Sequence, residues 1–140
     1  MARLISNEFY KYFDGLAATN AICVALGTTF TKGTNLFVDV EPANATQMVT
    51  SISYGGGPPD TDKYKYLAGV QVRVKANSIQ KSLETNQAII NTLHMNHNIC
   101  ASTNGVVYAD QSAPFLLEIV NSGQYYVSIS NYTVRYIKLT

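Results

Sequence analysis

Residues 67–93 read LAGVQVRVKANSIQKSLETNQAIINTL, a stretch that carries two hydrophobic periods in succession. Val70, Val72 and Val74 alternate with Gln71, Arg73 and Lys75, the pattern of a strand buried on one side, whose other face meets water or a partner. After a polar break at Asn77 and Ser78, Ile79, Leu83, Ile90 and Leu93 recur at helical spacing. Asn86 or Gln87 fills the middle of that stripe. A strand thus runs through a short hinge into an amphipathic helix.

Upstream, Ile5, Phe9, Tyr12, Phe13 and Leu16 form a second helical stripe, which Gly15 weakens near its end. The run Ala-Ile-Cys-Val-Ala-Leu at 21–26 has no decisive period: it either extends the helix or starts a buried strand, and Gly27 ends it. Residues 36–40 have strand composition and stop before Pro42, and 48–54 predict the next strand. It leads into Gly55-Gly56-Gly57-Pro58-Pro59-Asp60, where glycines loosen the backbone and prolines stiffen it.

Downstream, the helix ends within 94–98, and Asn104-Gly105 between 99–103 and 106–108 is a strong hairpin signal, because both residues tolerate positive φ. Residues 114–120 and 124–139 predict two further strands. In the last, Tyr125, Val127 and Ile129 share one phase and Tyr132, Val134 and Tyr136 the other. A bulge near Ser130 or Asn131 would shift the alternation in that way. The whole order predicts an α+β fold of one domain over 1–140: one mixed, mostly antiparallel sheet with two main helices packed on one face.

The totals narrow the function classes. At 140 residues the chain can bury one sizeable core without a staple. Only 14% of residues are charged, so Asn, Thr and Ser must make much of the surface. A net charge of +1 gives no field to draw nucleic acid or acidic lipid, and it does little to keep copies apart. No apolar run is long enough to span a membrane and no secretory leader is visible, so cytoplasmic synthesis is expected, with Cys23 and Cys100 as reduced, buried residues. Ten tyrosines and no tryptophan, with four tyrosines on the last strand, suit contact surfaces as well as core.

Candidate chemistry is sparse. His94, His97 and Cys100 stand three apart like zinc ligands, yet the histidines fall where a helix C-terminus needs hydrogen-bonding side chains, and a fourth ligand would have to be Cys23 or a distant carboxylate. The glycine triplet lacks the Gly-Lys-Ser/Thr of a phosphate loop. No nucleophile elbow occurs, and Cys100 has no orienting partner for a histidine base. Lys63, Lys65, Arg73, Lys75 and Lys81, with Tyr64 and Tyr66 interleaved, could contact nucleic acid, but Asp60, Asp62 and Glu84 offset them and a solvated strand face is the simpler reading. No catalytic residue, cofactor or metal site is predicted.

Residues 36–42, the strand ending in Tyr54-Gly55-Gly56-Gly57-Pro58-Pro59, the run Val70-Gln71-Val72-Arg73-Val74-Lys75-Ala76 with its following helix, and Asn131-Tyr132-Thr133-Val134-Arg135-Tyr136 together resemble the tail terminator proteins of long-tailed bacteriophages. These are also called tail completion or minor capsid proteins. The resemblance implies a structural virion protein, not an enzyme, that forms a hexameric ring at the head-proximal end of the tail tube. Such a ring ends tube polymerisation and provides the head-joining surface. The implied partners are sister subunits, the tail tube protein and head-tail connector proteins, with no membrane and no specific nucleic-acid binding, although a ring lumen could pass DNA.

A ring subunit needs two different patches. One is expected at Tyr54, Pro58, Pro59, Asp60, Asp62, Lys63 and Lys65, the other partly at Gln71, Arg73 and Lys75. Alternative readings are a head-tail connector subunit, or a small metal- or nucleic-acid-binding protein.

Overall fold

A computed structural model describes residues 2–40, 42, 47–54, 65–99, 105–120 and 124–137. Among the described residues, two helices and three strands are followed by a third helix and three more strands. They are α1 (Ala2–Asp14), α2 (Ala21–Leu26), β1 (Leu36–Val38), β2 (Met48–Tyr54), β3 (Lys65–Ala76), α3 (Ile79–Leu93), β4 (Val106–Ala109), β5 (Phe115–Val120) and β6 (Tyr125–Ile137). The strands form a single sheet in the order β1-β2-β3-β6-β4, with β5 also paired to β6. Only β1 and β2 are parallel; every other pair is antiparallel. The α+β fold expected from the period switch is therefore the one observed.

Local chemistry sets the helix ends. The ambiguous run at 21–26 is helical because Asn20 caps it, its Oδ1 accepting from the Ile22 N–H at 3.0 Å. Gly27 closes it in the left-handed conformation at φ 87°, which a side chain would strain. Ser78 caps α3 in the same manner as Asn20, accepting from the Lys81 N–H at 3.1 Å.

The core lies between the helices and one face of the sheet. Ile5, Phe9 and Phe13 of α1, Ile22 and Leu26 of α2, and Ile89 and Leu93 of α3 are buried with Val49, Val70, Val72, Val74, Val107, Tyr132 and Val134. Phe9 meets the Tyr132 ring edge-on, with centroids 5.8 Å apart. The helix stripe read from the sequence is rotated at its start: Ile79 is 43% exposed, and Ser82 and Thr85 are buried, while Asn86 fills the middle of the stripe as one of the two residues expected there. Burying Ser82 and Asn86 is tolerable because the facing strand carries Ser128 and Ser130, which bond to them, whereas the buried Thr85 hydroxyl has no hydrogen-bond partner among the described residues.

The last strand also differs from its sequence reading. Its register with β3 is unbroken from Lys65↔Ile137 to Ala76↔Tyr126, so no bulge interrupts that ladder near Ser130 or Asn131. The irregularity sits in β5, between Leu116 and Glu118. The two phases have another cause. Ser128, Ser130, Tyr132, Val134 and Tyr136 share the core face, while Val127 and Ile129 are buried on the far face. The Asn-Gly hairpin falls partly outside the described residues; of its flanks, 106–109 forms β4, which pairs with β6.

Candidate functional site

β6 organises one side of the sheet. Its first part pairs with β5, from Val120↔Tyr125 to Phe115↔Ile129, and its second part with β4, from Ala109↔Tyr132 to Val106↔Arg135. Both short strands thus lie along the same side of β6, one beyond the other.

Beneath the first part runs a buried hydrogen-bond network. Ser82 Oγ is 2.9 Å from both the Val74 carbonyl and Ser128 Oγ, and Ser128 Oγ donates to the Ser82 carbonyl at 3.0 Å. Asn86 Nδ2 donates to Ser128 Oγ at 3.2 Å, while Asn86 Oδ1 accepts from Ser130 Oγ at 2.6 Å. Ser130 Oγ is also 2.9 Å from Tyr132 Oη. Burial holds the Tyr132 phenol well above the ordinary tyrosine range, and the bond to Ser130 opposes this more weakly. These groups satisfy one another across the interface of α3 and β6, so the network positions elements and does not present a reactive group.

The far face of the sheet is less open than alternation alone predicts. Arg73 Nη2 pairs with Glu118 Oε1 of β5 at 3.2 Å, and Gln71 Nε2 donates to Asn131 Oδ1 at 3.1 Å. Lys75 is only 4% exposed and its Nζ lies 5.4 Å from the centroid of the Tyr125 ring. Met48, Thr50, Val127 and Ile129 on the same face are buried as well. Gln71, Arg73 and Lys75, which the sequence pattern leaves for a neighbour, thus each have a partner inside the subunit. Of the other expected contact residues, Tyr54 ends β2 and Lys65 begins β3, while Pro58, Pro59, Asp60, Asp62 and Lys63 lie outside the described residues.

β5 is predicted by the sequence at 114–120, but its exposure is not. Phe115, Leu117 and Ile119 are 45%, 44% and 57% exposed. A faint signal exists: Phe115-Leu116-Leu117 has no polar alternation, which sits badly with a strand buried on one side. Val40, just past β1, is another exposed apolar residue.

His94 is the C-cap of α3, where the helix end is expected, but its imidazole turns to β4, Nδ1 accepting the Ala109 N–H at 3.0 Å. It borders an open groove of about 470 Å³ with Ile90, Asn91, Ala109, Asp110, Gln111 and Ser112. Asp110 there accepts from the Thr133 hydroxyl at 2.8 Å. His97 is exposed and Cys100 lies outside the described residues; among those described, no three metal-ligating side chains gather. Cys23 is buried and unbridged, and burial pushes its thiol up.

No helix is long and apolar enough to cross a membrane, among the described residues. No curated protein matches the chain. A family model described as bacteriophage tail terminator protein matches residues 15–137.

Proposed function

The chain belongs to the bacteriophage tail terminator family, a structural component of the virion tail, and from that premise we propose that it assembles into a hexameric ring on the head-proximal end of the tail tube. There the ring ends tube polymerisation and offers the surface to which the head joins. It does so by contact alone, without catalysis. The observation that carries this reading is the family match, which leaves out α1 and runs through α2, α3 and the whole sheet.

Two properties of the chain support self-assembly. Its net charge of +1 leaves little repulsion between copies, and exposed apolar side chains remain at β5 and Val40 after folding. In this reading Tyr54, Pro58, Pro59, Asp60, Asp62, Lys63 and Lys65 form one patch against a sister subunit or the tube. Gln71 and Arg73, partly exposed on the far face of the sheet, contribute to the second, and the buried Lys75 acts there only from behind, against the Tyr125 ring.

Addition of the purified chain to polymerising tail tube protein tests the role. Tubes capped at one end and arrested in growth are the expected result. Tubes that elongate at the same rate with no bound ring would remove the terminator reading.

A further inference from the structure

β4 and β5 share one side of β6 but treat their outer edges differently. The chain leaving α3 turns back at Met95, whose φ is 62°, and runs along β4: the Met95 N–H donates to the Val107 carbonyl at 2.7 Å, and the Val107 N–H donates to the Asn96 carbonyl at 3.2 Å. The outer edge of β4 is therefore closed. Among the described residues no strand pairs with the outer edge of β5.

Folded proteins blunt such an edge with lysine, proline, inward charge or a covering segment, because unpaired N–H and C=O groups recruit another strand. β5 has no lysine and no proline within its six residues. Its single charge, Glu118, is turned to Arg73 of the same subunit. Apolar side chains stand out on both faces of the strand, since Phe115 aligns with Ile129 on the far face and Ile119 with Tyr126 on the core face.

We propose that β5 is a docking edge for a second copy of this chain, which adds a strand to the sheet and covers Phe115, Leu117 and Ile119. This rests on the assembly reading above and deepens it by naming the surface. Main-chain hydrogen bonds supply recognition and the apolar side chains supply area, as in other strand additions. A second copy suits the site because the one charge of the edge, Glu118, is already paired with Arg73 of its own subunit and leaves little for an oppositely charged partner to read, while near-neutral copies approach each other with little repulsion. The bulge between Leu116 and Glu118 twists the strand and limits the edge to a short pairing, which favours a defined contact over open-ended stacking.

The double substitution Leu117→Lys with Ile119→Lys in the full chain places two cations on the edge. Sedimentation should show self-association weakened about a hundredfold or more, with the melting transition and far-UV dichroism of the wild type retained. Assembly equal to wild type in that variant overturns the proposal. Hydrogen exchange on the wild-type protein gives an answer even if the variant does not fold: amides of 115–120 should gain protection on going from dilute monomer to assembly, and unchanged exchange there overturns the proposal. Assembly with β5 unprotected sinks the docking edge and leaves the ring intact. A two-fold dimer with β5 protected keeps the edge and removes the ring.

Discussion

The two parts of β6 are built on opposite plans. Residues 125–130 place Ser128 and Ser130 against Ser82 and Asn86 of α3, and carry β5, whose apolar side chains face outward. Residues 132–136 place Tyr132, Val134 and Tyr136 against an apolar core that includes Phe9, and carry β4, whose outer edge is closed by Asn96. The difference teaches where the fold needs precision. A one-residue slip would turn the side chains of either part to the far face; what distinguishes the network of serines and an amide is that its bonds need fixed distances and angles, whereas apolar contacts accept small displacements. The part of β6 that carries an exposed edge is the part whose position is fixed by hydrogen bonds.

The sharpest way to break the apolar part is Phe9→Ala. Loss of the ring packed edge-on against Tyr132 should cost about 3–5 kcal/mol, the range for a fully buried aromatic, measured by chemical denaturation. The polar part should also be sensitive to Asn86→Ala, which removes one partner of Ser128 and one of Ser130 while their bonds to Ser82 and Tyr132 remain. An expected loss of about 1–3 kcal/mol follows from two buried hydrogen bonds broken. If Asn86→Ala were neutral, the contrast between the two parts would fall.

A pH series separates the parts further. Tyr132 titrates higher in the folded state than in the unfolded chain, so above about pH 10 the unfolded state ionises first and binds fewer protons. Stability is fully present below that value and falls as pH rises beyond it. Tyr132→Phe should flatten much of this alkaline decline, leaving the share of Tyr12, which burial raises in the same direction. The smallest effect is expected from Asn96→Ala. Its side chain accepts from the Asn98 and Ile99 N–H groups and donates to the Thr92 carbonyl, so its loss should cost about 1 kcal/mol and speed amide exchange at Val107.

What the sequence discloses of this molecule follows from which forces leave a period. Met48–Tyr54 and Ile79–Leu93 end where the turn residues and the Ser78 cap place them. The valines of β3 are buried as their alternation requires. The helical period reaches Asn86, which is buried as one of the two residues expected in the stripe, but the opening face of α3 is illegible because Ser82 looks like a surface residue until Ser128 of β6, more than forty positions away, is brought opposite it. The bulge was misplaced for a related reason: Val127 and Ile129 are buried on the far face, so burial on both faces of β6 imitates a change of phase. A short apolar run predicts the strand at 114–120 but does not say which of its side chains are buried, so the exposure of Phe115, Leu117 and Ile119 in β5 leaves no period to read. At the candidate site, alternation correctly set Gln71, Arg73 and Lys75 on one face, but it carries no information on Glu118, Asn131 and Tyr125, the partners that meet them there.

The central claim is that this subunit works as part of a closed ring. Native mass measurement of the purified full chain at micromolar concentration, with images of the same sample, tests it most directly. A hexameric mass built from the 15.3 kDa subunit and a ring-shaped particle are the predicted result. A monomer under those conditions that stays monomeric when tail tube protein is added would contradict it.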